Sequence, residues 1–295
     1  MTIFAQRHAL TLAVALLTAG TTGTAVFAQQ AGHGAQEPVH IEKQDWTFGG
    51  LTGYFDKAQL RRGYMVYKNV CAACHGLRLL SYRNLGEPGG PEFNEANVAQ
   101  FASEAQVTDG PNDDGEMFQR PGRPSDKFVP PYPNAKAAAA AQNGAVPPDL
   151  SVMAKARTYE RHAAWFMEPA NWVSDLFTAY QEQGPDYIVA LLKGYTEPPA
   201  GMTLAPGMNY NAAFPGHQIA MPNPLSDGQV TYEDGTPATV DNYAKDVAAF
   251  LMWTAEPRLE ERKRMGLKVM VYLIILAGLL YLSKRAIWHN SDKAI

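Results

Sequence analysis

Cys71-Ala72-Ala73-Cys74-His75 places two thiols and an imidazole within five consecutive residues. C-x-x-C-H is the spacing at which two cysteines add to the vinyl groups of one haem while the adjoining histidine ligates its iron. Residues three and four apart share a helix face. On a helical turn, Cys71, Cys74 and His75 can therefore meet one edge and one face of a single porphyrin. Other uses of a C-x-x-C pair fit less well. A thioredoxin-type redox pair expects a βαβ setting, of which the sequence gives no sign. A structural zinc site needs about four Cys or His ligands, and the chain has 2 cysteines in all.

The iron of such a haem needs a second axial ligand from a separate segment. Beyond residue 28 the other histidines are His33, His40, His162, His217 and His289. Met202, Met208 and Met221 lie in a stretch rich in Pro and Gly, 197–224. Met221 is followed by Pro222 and Pro224, which restrict the local backbone, and it is the leading candidate. His217, Met202 and Met208 remain alternatives. A thioether opposite His75 would raise the potential above that of a bis-histidine iron.

Several elements must position these groups. Asp56 is a candidate N-cap, Gln59 sits three residues later, and Leu60, Tyr64, Tyr67 and Cys71 recur at helical spacing. This pattern predicts a helix running into the motif, with Gly76 as its stop. A second helix is predicted over 240–255, with Val240, Ala244, Val247, Phe250, Leu251 and Thr254 on one stripe and Glu256-Pro257 ending it. Pro and Gly are dense at 120–134 and 197–224, and no alternating strand pattern of any length is present. The fold class is therefore mainly α, with long connections. Residues 158–183 carry Trp165, Phe166, Trp172 and Phe177 around Pro169 and read as an extra packing element.

The two ends of the chain point to export and anchoring. Arg7 and His8, the apolar run 9–17 and Val26-Phe27-Ala28 form the parts of a secretory signal peptide over 1–28. Export agrees with the motif, because c-type haem is attached outside the bacterial cytoplasm. Near the other end, Val269 to Leu282 carries no charge and is flanked by Lys268 and Lys284. Counted from Met265, the span rises roughly 27 Å, close to a hydrocarbon core. Trp288 suits an interface. The predicted division is a signal peptide at 1–28, a periplasmic haem domain at 29–257, a transmembrane anchor at 258–288 and a cytoplasmic tail at 289–295. The basic flank before the anchor (Arg258, Arg262, Lys263, Arg264, Lys268) opposes this orientation on a positive-inside count. Long exported domains, however, translocate largely regardless of charge.

The net charge is −4, which argues against a nucleic-acid partner. From Glu87 to Glu116 the carboxylates Glu87, Glu92, Glu95, Glu104, Asp109, Asp113, Asp114 and Glu116 occur with no Lys or Arg between them. Such a run forms either a solvated surface or a docking face for a basic partner.

At this point the residues carry a family resemblance. The stretches LRRGYMVYKNVCAACH (60–75), SYRNL (81–85), PPDLSVMAKAR (147–157), GPDYI (184–188), IAMPNPL (219–225) and YEDGTPATVDNYAKDVAAFLMWTAEPRLEERKRMGL (232–267) resemble the cytochrome c1 family. These are the haem c subunits of the cytochrome bc1 complex (ubiquinol–cytochrome c reductase), here of an alphaproteobacterial type. The resemblance implies a class I cytochrome c-like domain with long loop insertions, one C-terminal transmembrane helix, and His75 and Met221 as axial ligands. It further implies that Arg157 meets a haem propionate, that Pro148 packs on the haem, and that Tyr187 and Tyr67 lie near it. The segment 158–183 is longer than in the shortest family members, which bears on the placement of Tyr187. The implied role is electron transfer from the Rieske iron–sulfur protein to a cytochrome c, with cytochrome b as a neighbour in a dimeric complex and no bond chemistry in this chain. A freestanding membrane-anchored cytochrome c shares the motif and the anchor. A di-haem peroxidase would need a second C-x-x-C-H, and the sequence has one.

Overall fold

The computed structural model describes residues 41–157, 165–167, 169–170 and 183–291. The predicted signal peptide, His33, His40, His162, Trp172, Phe177 and most of 158–183 lie outside the described residues.

Helix α1 (Lys57–Asn69) begins as its sequence predicts. The Asp56 carboxylate accepts the N–H groups of Ala58 and Gln59, at 2.9 and 3.4 Å, and so satisfies donors that have no partner within the helix. Leu60, Gly63, Tyr64, Val66 and Tyr67 form its buried face. Helix α1 stops at Asn69, earlier than Gly76. The motif instead occupies a 3₁₀ turn over Cys71–Ala73. Asn69 and β-branched Val70 are weak helix formers, and the chain tightens there.

Helix α2 (Glu95–Ser103) is capped by Asn94, and the short alanine helix α3 (Ala135–Ala141) by Asn134. A single turn, α4 (Met153–Ala156), precedes α5 (Gly184–Lys193). Helix α6 (Val240–Ala255) has the predicted bounds and a Thr239 cap. Its burial differs from the predicted stripe. Tyr243, Ala244 and every residue from Asp246 to Thr254 are buried, so α6 is a central core helix rather than a surface one.

Helix α6 packs against α1, α4 and α5. Its crossing with α1 is close, because a Cβ on Gly63 would sit 2.1 Å from the Asp246 carbonyl oxygen. Around this crossing Tyr64, Tyr67, Phe128, Phe250 and Trp253 build a chain of aromatic contacts. Arg62 of α1 holds Asp246 of α6 through Nε at 2.8 Å and Nη2 at 3.1 Å, and Asp234 through Nη1 at 2.7 Å.

Two small antiparallel hairpins interrupt the helical pattern. Strands β1 (Gln106–Asp109) and β2 (Phe118–Pro121) pair Gln106 with Pro121, and β3 (Asn209–Tyr210) pairs with β4 (Gln218–Ile219). At four and two residues they are too short for alternation to show in the sequence.

Helix α7 (Leu259–Ser291) follows α6 after three residues. Residues 259–289 form a helix long and apolar enough to cross a membrane; an 18-residue stretch within it has a mean hydropathy of 2.1, and its apolar side chains are exposed.

Candidate haem site

The C-x-x-C-H turn is closed by its own backbone. The N–H groups of Cys74 and His75 both reach the Cys71 carbonyl, at 3.1 and 2.8 Å. The two cysteines are free thiols. Cys71 packs against the main core, and Cys74 accepts a contact from Gln142 Nε2 at 3.7 Å. Burial, with a smaller contribution from Cys74, pushes the Cys71 thiol up to about 12. A redox thiol needs a lowered value, and Cys71 has the opposite. Among the described residues no group of three His, Cys, Asp or Glu side chains could hold a metal ion.

His75 is oriented by a distant segment. Its Nδ1 lies 2.8 Å from the Pro148 carbonyl oxygen. A carbonyl can only accept, so Nδ1 carries the proton and Nε2 keeps a free lone pair. A ligating histidine takes this arrangement, its other nitrogen donating to a carbonyl. Burial lowers the His75 value, against opposing pulls from the Pro148 carbonyl and Asp149, and this favours the neutral, ligating form. The neighbouring contacts form a stitch between the two segments. Leu150 N–H donates to the Gly76 carbonyl at 2.9 Å, Arg78 N–H to Asp149 Oδ2 at 2.9 Å, and Leu79 N–H to buried Ser151 Oγ at 3.1 Å. Tyr67 adds its hydroxyl to the His75 carbonyl at 3.0 Å.

Met221 is carried by a loop segment. Met221 is half-buried and packs against the same apolar cluster as Cys71 and Ala72. Its carbonyl accepts from Tyr195 Oη at 3.1 Å and from Asn209 Nδ2 at 3.3 Å. The alternative ligands are placed differently. Met208 is exposed, and Met202 is half-buried but outside that cluster. The His217 ring stacks on Tyr210, with centroids 5.7 Å apart, and its Nδ1 lies 3.3 Å from the Asn211 carbonyl. That histidine shapes the β3–β4 turn. His289 is an exposed residue of α7.

The positions carried over from the resemblance fall as follows. Tyr67 is buried against His75, and Pro148 supplies the orienting carbonyl. Tyr187 of α5 is buried, which raises its hydroxyl value, and Arg157 opposes that rise. The Arg157 guanidinium is exposed and has no ion pair among the described residues. Tyr195 is also buried, which raises its hydroxyl value, and it reaches the Met221 carbonyl.

Sequence reasoning missed Tyr195, Asn209, Asp149, Ser151 and, above all, Asn211. Fully buried Asn211 donates to the Leu191 carbonyl at 2.8 Å and accepts from Ala213 and Phe214 N–H at 3.0 and 3.1 Å. Nothing in an Asn-rich loop marks which asparagine is buried.

The donor set fits a covalently bound haem: two free thiols three residues apart, an imidazole with Nε2 free, and a half-buried thioether on a separate segment of the same core. The profile of the Cytochrome C1 family matches residues 46–291. The chain belongs to the cytochrome c1 family. It is 46% identical over 281 residues to "Cytochrome c1" of Blastochloris viridis, covering 95% of each chain. It is 40% identical over 292 residues to "Cytochrome c1" of Rhodospirillum rubrum, covering 94% of this chain and 96% of that one. A longer relative, "Cytochrome b/c1" of Bradyrhizobium diazoefficiens, is 52% identical over 282 residues, and the chain spans 40% of its length. The plant relative named "Cytochrome c1 1, heme protein, mitochondrial", from Arabidopsis thaliana, is 44% identical over 270 residues.

Proposed function

We propose that this chain is the haem c subunit of a cytochrome bc1 complex, taking electrons from the Rieske iron–sulfur protein and passing them to a cytochrome c. The observation that carries this reading is the His75 Nδ1–H bond to Pro148, which presents Nε2 beside two free thiols. Cys71 and Cys74 would hold the haem covalently, with His75 and Met221 as its axial ligands. The bound group supplies a one-electron iron couple. The chain orients the imidazole, carries the thioether on a braced loop, and offers the Arg157 guanidinium for a propionate. Pro148, Tyr187 and Tyr67 wall the same space.

The remaining assignments follow from this. Residues 1–28 are a signal peptide, 29–257 the periplasmic haem domain, 258–288 a single anchor in the bacterial inner membrane, and 289–295 a cytoplasmic tail. Cytochrome b neighbours the anchor in a dimeric complex. The acidic run offers a face to a basic cytochrome c, since Glu87, Glu95, Asp113, Asp114 and Glu116 are exposed. Glu92, Glu104 and Asp109 instead pair with Lys57, Lys68 and Arg120.

The decisive measurement is an optical spectrum and redox titration of wild type and Met221→Leu. Loss of the sulfur–iron charge-transfer band is expected, with a fall in potential on the order of 0.1 V. An unaltered spectrum moves the ligand to His217. Copurification with cytochrome b and the Rieske protein separates the complex subunit from a freestanding anchored cytochrome. Neutralising the exposed carboxylates tests docking through the salt dependence of electron transfer to cytochrome c.

A further inference from the structure

We infer that the loop 46–55 is a second membrane contact, which lays the haem domain on lipid at the foot of the anchor. This rests on the reading that α7 crosses the bilayer. The loop is joined to the first turns of α7 from both of its ends. Phe55 N–H donates to Glu260 Oε1 at 2.8 Å, and Lys263 Nζ donates to the Phe48 carbonyl. Leu259 is buried in the same apolar cluster as Trp46, Phe48 and Phe55. The depth of these contacts follows from helix geometry. If the hydrocarbon begins near Met265, Lys263 lies only ~3 Å outside it at 1.5 Å per residue, within the headgroup layer. A loop bonded to Lys263 is held at that level.

The loop is a rigid platform. Trp46 and Phe48 stack at 5.0 Å, and Phe48 meets Phe55 at 5.2 Å. Gly49 N–H bonds to the Trp46 carbonyl and Tyr54 N–H to the Thr47 carbonyl, both at 3.0 Å. The chain doubles back so tightly that a Cβ on Gly53 would lie 2.1 Å from the Gly49 carbonyl oxygen. From this platform Leu51 and Tyr54 project at 63% and 57% exposure. A rigid loop that buries three aromatics while exposing a leucine and a tyrosine next to a spanning helix suits the interface, where tyrosine is favoured. Arg258, Arg262, Lys263, Arg264 and Lys268 lie near the same level, against Glu256, Glu260 and Glu261, with Arg262 bonded to Glu256 and Arg264 3.9 Å from Glu260. The remaining positive excess opposes a basic protein, and the loop is bonded directly to the first turns of the spanning helix, so the occupant is lipid.

The test is photo-crosslinking of the full chain in native membranes, with p-benzoylphenylalanine replacing Leu51, Leu273 of α7, or Met117 on the β1–β2 hairpin. The expected result is lipid adducts at 51 and 273 and none at 117. Lipid at 273 without lipid at 51, or a polypeptide adduct alone at 51, overturns the loop contact and leaves the anchor standing. Absence of lipid at both 51 and 273 overturns both. Equal lipid labelling at 51 and 117 shows unspecific collision and also overturns the contact.

Discussion

The His75 side and the Met221 side of the site are held by different kinds of structure. Around His75, four bonds join residues 75–79 to residues 148–151, one after another, and most use backbone atoms. Behind them lies the α1–α6 crossing, with its glycine contact, its aromatic chain and the Arg62–Asp246 pair. Around Met221, a loop rich in proline and glycine is held by single side chains: Tyr195, Asn209 and, at one remove, Asn211. The first region resembles a packed core and the second a braced span. The imidazole is therefore held by redundancy, while the thioether depends on a few replaceable bonds. Regions with few buried apolar contacts open at lower free energy than the core.

Perturbations of each region sharpen this contrast. The largest effect is expected at the crossing. Asp246→Ala leaves Arg62 without its buried partner and should cost about 3–5 kcal/mol of global stability, measured by urea unfolding of the holoprotein. Gly63→Ala drives a methyl into the Asp246 carbonyl and should cost about 3 kcal/mol. In both variants the sulfur–iron band should survive until the whole domain unfolds. The loop should behave in the opposite way. Asn211→Ala orphans the Ala213 and Phe214 N–H groups and takes one of two donors from the Leu191 carbonyl, which keeps the Gly194 N–H at 3.3 Å, costing about 2 kcal/mol. Its band should bleach on warming before the far-ultraviolet signal falls. If band and fold are lost together, the loop is not an independent unit and the contrast fails. Tyr195→Phe removes one hydroxyl bond and should cost about 1 kcal/mol, again seen in the band first.

Acid provides a smaller and differently signed probe. The Thr236 N–H and then Arg62 hold the Asp234 carboxyl down at about 2. A lowered folded value means that the unfolded chain binds the proton more readily. The stability from this carboxylate is thus present above the ordinary aspartate value of ~3.9 and is lost as pH falls toward about 2. Arg62→Gln should flatten that acid limb. Asp186 has the reverse sign. Burial raises its value, although Trp46 Nε1–H at 2.7 Å and Gln44 N–H at 3.1 Å donate to it. Stability should therefore fall as pH rises from the unfolded value through the raised one. Asp186→Asn should remove that dependence, read as an unfolding midpoint that no longer changes across mildly acidic pH.

Much of this was legible in the sequence, and the legible parts share a property. The Asp56 cap, the bounds of α6 and the apolar span in α7 depend on residues a few positions apart, where propensity and periodicity act. The end of α1 was misjudged, because a turn that presents side chains to a ligand can leave α geometry without any change in hydrophobic pattern. The full burial of α6 was also hidden. A stripe is visible in one helix, but the layers on its other faces come from α1, α4 and α5.

By itself the sequence determined the chemistry on offer: two thiols and an imidazole at attachment spacing, a thioether among prolines, and an apolar C-terminal span. Only the tertiary structure decided how those groups are held. The partner of His75 Nδ1 lies 73 residues away, and the brace behind Met221 runs through an asparagine like any other in its loop. Such contacts depend on which backbone atoms meet when distant segments pack. Local patterning carries no record of that, because the free energy that selects them belongs to the whole core.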